Sequence, residues 1–112
     1  MRILLLLPVL LLHLFATAAY AGDMFPGTLE IRDGKPMLIR CDLVKNTYLL
    51  VDKDGNVDVW LKQIEKLGIT PENPYQATVF GDARMEGDSV ILTVDSIENI
   101  QPGSCHLGDL FK

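Results

Sequence analysis

From Thr28 onward the chain alternates. Leu29 and Ile31 fall on one side and Thr28, Glu30 and Arg32 on the other, which is the period of a half-buried strand over residues 28–32. Asp33-Gly34-Lys35-Pro36 supplies turn chemistry, because Gly34 accepts a positive φ and Pro36 has no N–H to give a ladder. A hairpin into a second strand, residues 37–42, follows, with Met37, Ile39 and Cys41 on one face and Cys41 directed inward. Residues 47–52 (TYLLVD), rich in β-branched and aromatic side chains, predict a third strand. The period then lengthens. Trp60, Ile64 and Leu67 recur at i, i+4 and i+7 with Lys62, Glu65 and Lys66 opposite, an amphipathic helix over residues 57–67. Asn56 is the expected N-cap, Asp58 suits the positive end of the helix dipole, and Gly68 ends the helix. The two prolines of residues 70–74 (TPENP) demand a loop. Residues 75–84 and 89–97 predict a second hairpin around Met85-Glu86-Gly87-Asp88. Its strands carry apolar residues on both faces, Val79 against Phe80 and Leu92 against Ile91. Residues 22–27 form a polar lead-in, and residues 98–112 a tail that holds Cys105.

Three strands, one helix and two strands is the element order of the OB-fold, a five-stranded Greek-key barrel. The sequence therefore predicts a mainly β fold, a small five-stranded OB-fold-like barrel with one helix between strands 3 and 4. An α+β meander, with the helix packed over an open sheet, gives the same string and is the alternative.

The N-terminus follows another pattern. Arg2 precedes an apolar run from Ile3 to Phe15, and small residues lead to Ala19-Tyr20-Ala21, the n-region, h-region and A-x-A site of a secretory signal. The run is interrupted by Pro8 and His13 and falls short of the roughly 20 residues needed to span a bilayer. Cleavage is expected between Ala21 and Gly22, with Ala18 as a second candidate, so residues 1–21 are a signal peptide and 22–112 a single domain. A lipoprotein signal needs a cysteine at the cleavage point, and the first cysteine is Cys41. A periplasmic or secreted protein with no stable membrane insertion is expected.

Charge and cysteine content sharpen this picture. The chain holds 10 basic and 15 acidic side chains, and only Arg2 belongs to the leader, which leaves nine basic residues and a net charge of −6 after cleavage. Nucleic-acid binding draws affinity from Lys and Arg that displace counterions, so this balance excludes oligonucleotides as expected partners. An envelope or extracellular protein is the expected partner. Cys41 and Cys105 are the only cysteines, and in an oxidising compartment an even count reads as a disulfide. A reactive thiol or a metal pair is the competing reading.

Several of these residues, taken in order, form a pattern. Gly27 precedes the first strand, Met37-Leu38-Ile39-Arg40-Cys41-Asp42 leads to a cysteine and an acid, and a helix spans residues 57–67. Ala77-Thr78-Val79-Phe80-Gly81 ends a strand near glycine, a second strand covers residues 90–94, and Pro102-Gly103-Ser104-Cys105 closes the set. This arrangement resembles the C-terminal OB domain of the NlpE family of bacterial envelope lipoproteins, over residues 27–105. The resemblance implies a small barrel in the cell envelope with Cys41 and Cys105 paired, and a setting of envelope stress, surface sensing or copper stress. The chain departs from the family in having no lipidation cysteine and no N-terminal domain with a Cys-x-x-Cys motif, which weakens the sensing and copper roles here.

Candidate chemistry is sparse. Asp52-Lys53-Asp54-Gly55-Asn56-Val57-Asp58 opens like an EF-hand loop, with oxygen ligands at positions one, three and five. Position six is Val57 where glycine is needed, and position twelve is Gln63 where a bidentate Glu is needed. A polar turn leading into the helix is the preferred reading. His106, the one histidine outside the leader, is expected to be a tail residue, and Met24, Met37 and Met85 show no ligand spacing that would join it in a metal site. No carboxylate pair or phosphate loop stands out. Trp60 is expected in the core, and Tyr48, Tyr75 and Phe80 lie on strands whose face an OB barrel uses for ligands. The expectation is a non-catalytic binding or accessory module without cofactor, metal or catalytic residues. The alternative is a small metal-responsive periplasmic protein handling copper or calcium.

Overall fold

The structure, a computed structural model, describes residues 22–42 and 46–106. The expected leader, with Ala21 at its cleavage junction, and the last six residues of the tail lie outside the described residues. The elements are β1 (Asp23–Arg32), β2 (Lys35–Arg40), β3 (Thr47–Val51), α1 (Asp58–Glu65), β4 (Tyr75–Glu86) and β5 (Ser89–Pro102). The five strands close in a ring in the order β1-β2-β3-β5-β4, with β4 returning to β1. β3 and β5 run parallel and every other pair is antiparallel. The fold is mainly β with one helix between the third and fourth strands, as the element order predicts.

Closure depends on β1 serving two neighbours. Residues 23–29 pair with β4 and residues 27–32 with β2, so the strand must bend where the two ladders overlap. Gly27 sits at that overlap, and a β-carbon there would lie 2.5 Å from the Ile39 carbonyl oxygen. Gly81 has the same role on β4, where a β-carbon would meet the Thr93 carbonyl. Glycine inside a strand marks such a corner.

The interior is filled by Leu29, Leu38, Leu50, Val79 and Leu92 from the five strands and by Ile64 from α1, all essentially inaccessible. Full burial of side chains of this size stabilises by about 1.5–3 kcal/mol each. α1 touches β1, β2 and β3 and sets Trp60 and Leu67 against the same core.

Four expectations are corrected. β1 begins at Asp23, so the supposed polar lead-in is strand; β5 extends to Pro102, so the first part of the supposed tail is strand as well. β5 absorbs two register shifts against β4, between Gln76 and Thr78 and between Phe80 and Gly81, and Asn99 adopts φ 54° beside the first. Such bulges break alternation, the signal by which the strand would be recognised.

The faces of β2 are also reversed. The hairpin turn is Asp33-Gly34 alone, with Arg32 opposite Lys35, so Leu29 faces Leu38 across the ladder. Pro36 and Leu38 therefore point inward, while Met37 and Ile39 are half-buried on the outer face. Residues 36–39 are apolar at odd and even positions alike, so alternation within β2 does not choose its inward set; the pairing of Leu29 with Leu38 does. Cys41 lies one residue beyond β2 and is half-buried; its N–H donates to the Pro26 carbonyl at 3.0 Å.

The helix N-cap is Val57, with no side-chain cap. Asn56 instead closes the preceding turn: its N–H and that of Asp54 both donate to Asp52 Oδ1 at 2.9 Å. At the other end, Leu67 and Gly68 donate to the Ile64 and Glu65 carbonyls, tightening the last turn, and Gly68 leaves it at φ 68°.

Candidate functional site

Two hairpin turns and the outer face of β2 and β3 frame an open groove of about 540 Å³. Its first rim is the β1–β2 turn, where Asp33 and Gly34 both take positive φ, 54° and 73°. Two consecutive positive φ values make a type I′ turn, whose twist matches that of the flanking strands, and Asp-Gly is a sequence suited to it. The turn places Arg32 and Lys35, the last ladder pair, on either side of Asp33. The second rim is the β4–β5 turn at Gly87-Asp88, closed by the Glu86–Ser89 pair, with Gly87 at φ 63°.

Met37 and Leu49 form the apolar floor and are direct cross-strand partners. They face outward because their neighbours Leu38, Tyr48 and Leu50 point into the barrel. Asn46, Thr47, Ser89 and Val90 complete the lining. Met85, across the ladder from Val90, is 67% exposed. The groove's volume lies within the range of roughly 300–1,000 Å³ typical of ligand clefts.

The rims carry both signs of charge. Arg32 is bound to Glu30 at 3.0 Å, an exposed pair within one strand that contributes little stability. Among the described residues Lys35, Asp33 and Asp88 take part in no ion pair. With Arg32 already matched, the unmatched charges at the rim are two carboxylates and one ammonium.

A second polar cluster ties the end of β5 to the β1–β2 region. Cys41 and Cys105 form a disulfide with their Cα atoms 5.5 Å apart, across a sequence separation of 64. The Cys105 N–H donates to Thr28 Oγ1 at 3.3 Å, and His106 Nδ1 lies 3.1 Å from the same hydroxyl. His106 Nε2 lies 2.6 Å from the Arg40 carbonyl oxygen. A carbonyl only accepts, so Nε2 donates to it, which leaves Nδ1 to share the second hydrogen bond with the Thr28 hydroxyl. His106 is 5% exposed and Thr28 6%. His106 lies in the tail beyond β5, as expected, and there it is a buried bridge between β1 and the end of β2. The hydroxyl and imidazole are both buried, and the arrangement acts as a clamp.

Arg40 extends the cluster outward. Its guanidinium donates to the Tyr48 hydroxyl at 3.4 Å, pairs with Asp42 at 3.1 Å and lies 5.9 Å from the centre of the Phe25 ring. The Tyr48 hydrogen bond first, and then the electrostatic pull of Tyr48 and Asp42, raise its pKa above the ordinary arginine value, so it stays cationic. Its N–H donates to the Asn46 carbonyl at 2.8 Å, which links the clamp to the start of the groove wall.

Of the aromatic residues expected on a ligand face, Tyr48 is a core residue, edge-on to Phe25 at 5.4 Å. Tyr75 and Phe80 lie on β4, outside the groove lining. Trp60 packs against the core as expected, and its Nε1 is buried without an acceptor among the described residues. In the EF-hand-like segment the first carboxylate, Asp52, is engaged by backbone N–H groups. Among the described residues no three His, Cys, Asp or Glu side chains are grouped to hold a metal ion, and no helix is long and apolar enough to cross a membrane. The groove itself has no sequence signature, since its rims are more than fifty residues apart; the Asp-Gly turn was its one local sign.

Comparison with known protein families, curated proteins and solved structures finds no match to this chain.

Proposed function

We propose that the protein is an exported, non-catalytic binding module of the bacterial cell envelope that engages a partner through the groove between its two hairpin turns. The groove carries this reading: an apolar Met37–Leu49 floor bounded by charged turns, built on a rigid closed sheet. OB-type barrels bind ligands on the face of strands 2 and 3 between the β1–β2 and β4–β5 loops, and this groove occupies the same position. The Cys41–Cys105 disulfide is compatible with an oxidising compartment, and the Arg2, apolar-run and Ala19-Tyr20-Ala21 pattern supports export. The resemblance to the NlpE family supports the envelope and envelope stress as the setting.

The test is site-directed photo-crosslinking with the exported protein in intact cells. A photoreactive side chain at Thr47, on the groove wall, is expected to capture a discrete adduct that Leu49→Asp abolishes. The same group at Lys62, on the exposed side of α1, is expected not to. Equal adducts from both positions, or none from Thr47, would remove the groove from any functional account.

A further inference from the structure

We infer that the occupant of the groove is an extended segment of another protein that carries an aliphatic side chain flanked by lysine or arginine. The inference rests on the groove being the binding site and names what that site takes. Three features of the groove support it.

The first is the floor. Met37 and Leu49 are unbranched at Cβ and half-exposed, and exposed Met85 stands across the ladder from Val90 at the groove's edge. Methionine-rich surfaces adapt to aliphatic side chains of varied shape, which suits a peptide anchor. The second is what the lining lacks. Among the described residues none that lines the groove is aromatic, whereas single-stranded nucleic acids are held by stacking bases on aromatic rings along a basic track.

The third is charge. Arg32 is matched by Glu30, which among the described residues leaves Asp33 and Asp88 on opposite rims against Lys35. The domain after leader removal carries a net charge of −6, so its long-range field also draws cationic partners and repels phosphate-bearing ones. An apolar anchor seated over Met37 and Leu49, with a cation reaching Asp33 or Asp88, meets both the floor and the rims. Among the described residues an anionic ligand meets Lys35 and an Arg32 already held by Glu30.

Fluorescence anisotropy with the disulfide-bonded exported protein tests this directly. The probes are a labelled pentapeptide with lysines flanking Val-Leu-Val, its glutamate-flanked counterpart, a lysine-flanked Ser-Gly-Ser peptide, and a short thymidine oligonucleotide. The lysine-flanked aliphatic peptide is expected to bind roughly tenfold more tightly than the glutamate-flanked one, as close charge pairs at an interface allow, and to weaken as salt is raised. Asp33→Asn with Asp88→Asn should erase that preference, while Leu49→Ser should weaken both aliphatic peptides. Asparagine tolerates the positive φ at position 33, so the turn survives and an unchanged melting curve verifies it. Equal affinity for the two charge types, binding of the Ser-Gly-Ser peptide as tight as the aliphatic one, or preference for the oligonucleotide would overturn the inference. If no peptide binds while the Thr47 crosslinker still captures a partner, the basic-segment assignment is wrong and the binding-module reading stands. If both experiments fail, both fall.

Discussion

His106 shows how one side chain can be structural where sequence spacing gives no hint of it. Both ring nitrogens are engaged, one by Thr28 and one by the Arg40 carbonyl, with the ring itself buried. His106→Ala would leave the Arg40 carbonyl without the imidazole donor and take one partner from the Thr28 hydroxyl, which keeps the Cys105 N–H; a buried group left unsatisfied costs about 1–3 kcal/mol. A loss of about 2–3 kcal/mol of unfolding free energy in urea is expected. Thr28→Val keeps the shape but leaves Nδ1 and the Cys105 N–H without the hydroxyl; its cost should be similar, and the double variant should lose less than the sum of the two. Strict additivity would mean the two side chains are not coupled and the clamp does not exist. Trp60 presents the opposite case. Its ring packs on the core while its N–H is buried with no acceptor among the described residues, so Trp60→Phe discards a donor along with some packing. The two effects oppose each other, and the net change is expected within about 1 kcal/mol, against about 2–5 for Leu38→Ala or Leu50→Ala. Chemical denaturation of the three variants side by side checks the ranking; a Trp60→Phe loss as large as the leucine truncations would show that the indole N–H has a partner after all.

At the level of elements, local turn chemistry decides which face of a strand enters the core. The Asp33-Gly34 turn fixes Arg32 opposite Lys35, and that single register sends Leu38 inward and leaves Met37 for the groove. Gly34→Ala, at φ 73°, should therefore cost about 1 kcal/mol of stability, the penalty for a side chain in a left-handed position, while Asp33→Asn should be neutral or slightly stabilising. Thermal melts give the first number, and a Gly34→Ala protein as stable as the parent would argue against the two-residue turn. The kinds and order of the elements were legible because Leu29/Ile31 alternation and the Trp60–Ile64–Leu67 spacing are local periodicities. The inward face of β2 was not, because Pro36, Met37, Leu38 and Ile39 are all apolar and only the pairing with β1 chooses between the two sets. The ends of β1 and β5 were hidden for a related reason. Pro26, Gly27 and Asn99 have the local character of turn residues, yet in the closed ring they serve a strand crossing and a bulge that only the neighbouring strands impose. The groove was legible only through its Asp-Gly rim, since Met37, Leu49 and Asp88 meet by way of three different strand pairings.

On the scale of the whole molecule, ring closure and the covalent tie act on the same region. β1 is the strand that joins both ends of the sheet, and the clamp of Cys41–Cys105, Thr28 and His106 sits where β1 meets the end of β2. The chain-entropy account gives a crosslink across this separation of 64 residues about 4 kcal/mol of stabilisation. Domains of this size are stable by only about 5–15 kcal/mol, so the bond represents a large fraction of what holds the ring. Reduction with a dithiol, or Cys41→Ala with Cys105→Ala, should lower the melting temperature by roughly 15–30 °C, since about 4–8 °C accompanies each kcal/mol in a domain this small. The loss should also be local in its onset. Hydrogen exchange should quicken first at the Cys41 and Cys105 amides, whose acceptors are Pro26 and Thr28, and only later at the Leu50 and Leu92 amides of the β3–β5 ladder. The Arg40-to-Asn46 hydrogen bond then loosens with the clamp, so groove binding should fall on reduction at temperatures where the barrel is still folded. A reduced protein with the parent's melting temperature and an unchanged exchange pattern would show that burial alone closes the ring and that the disulfide is incidental to it.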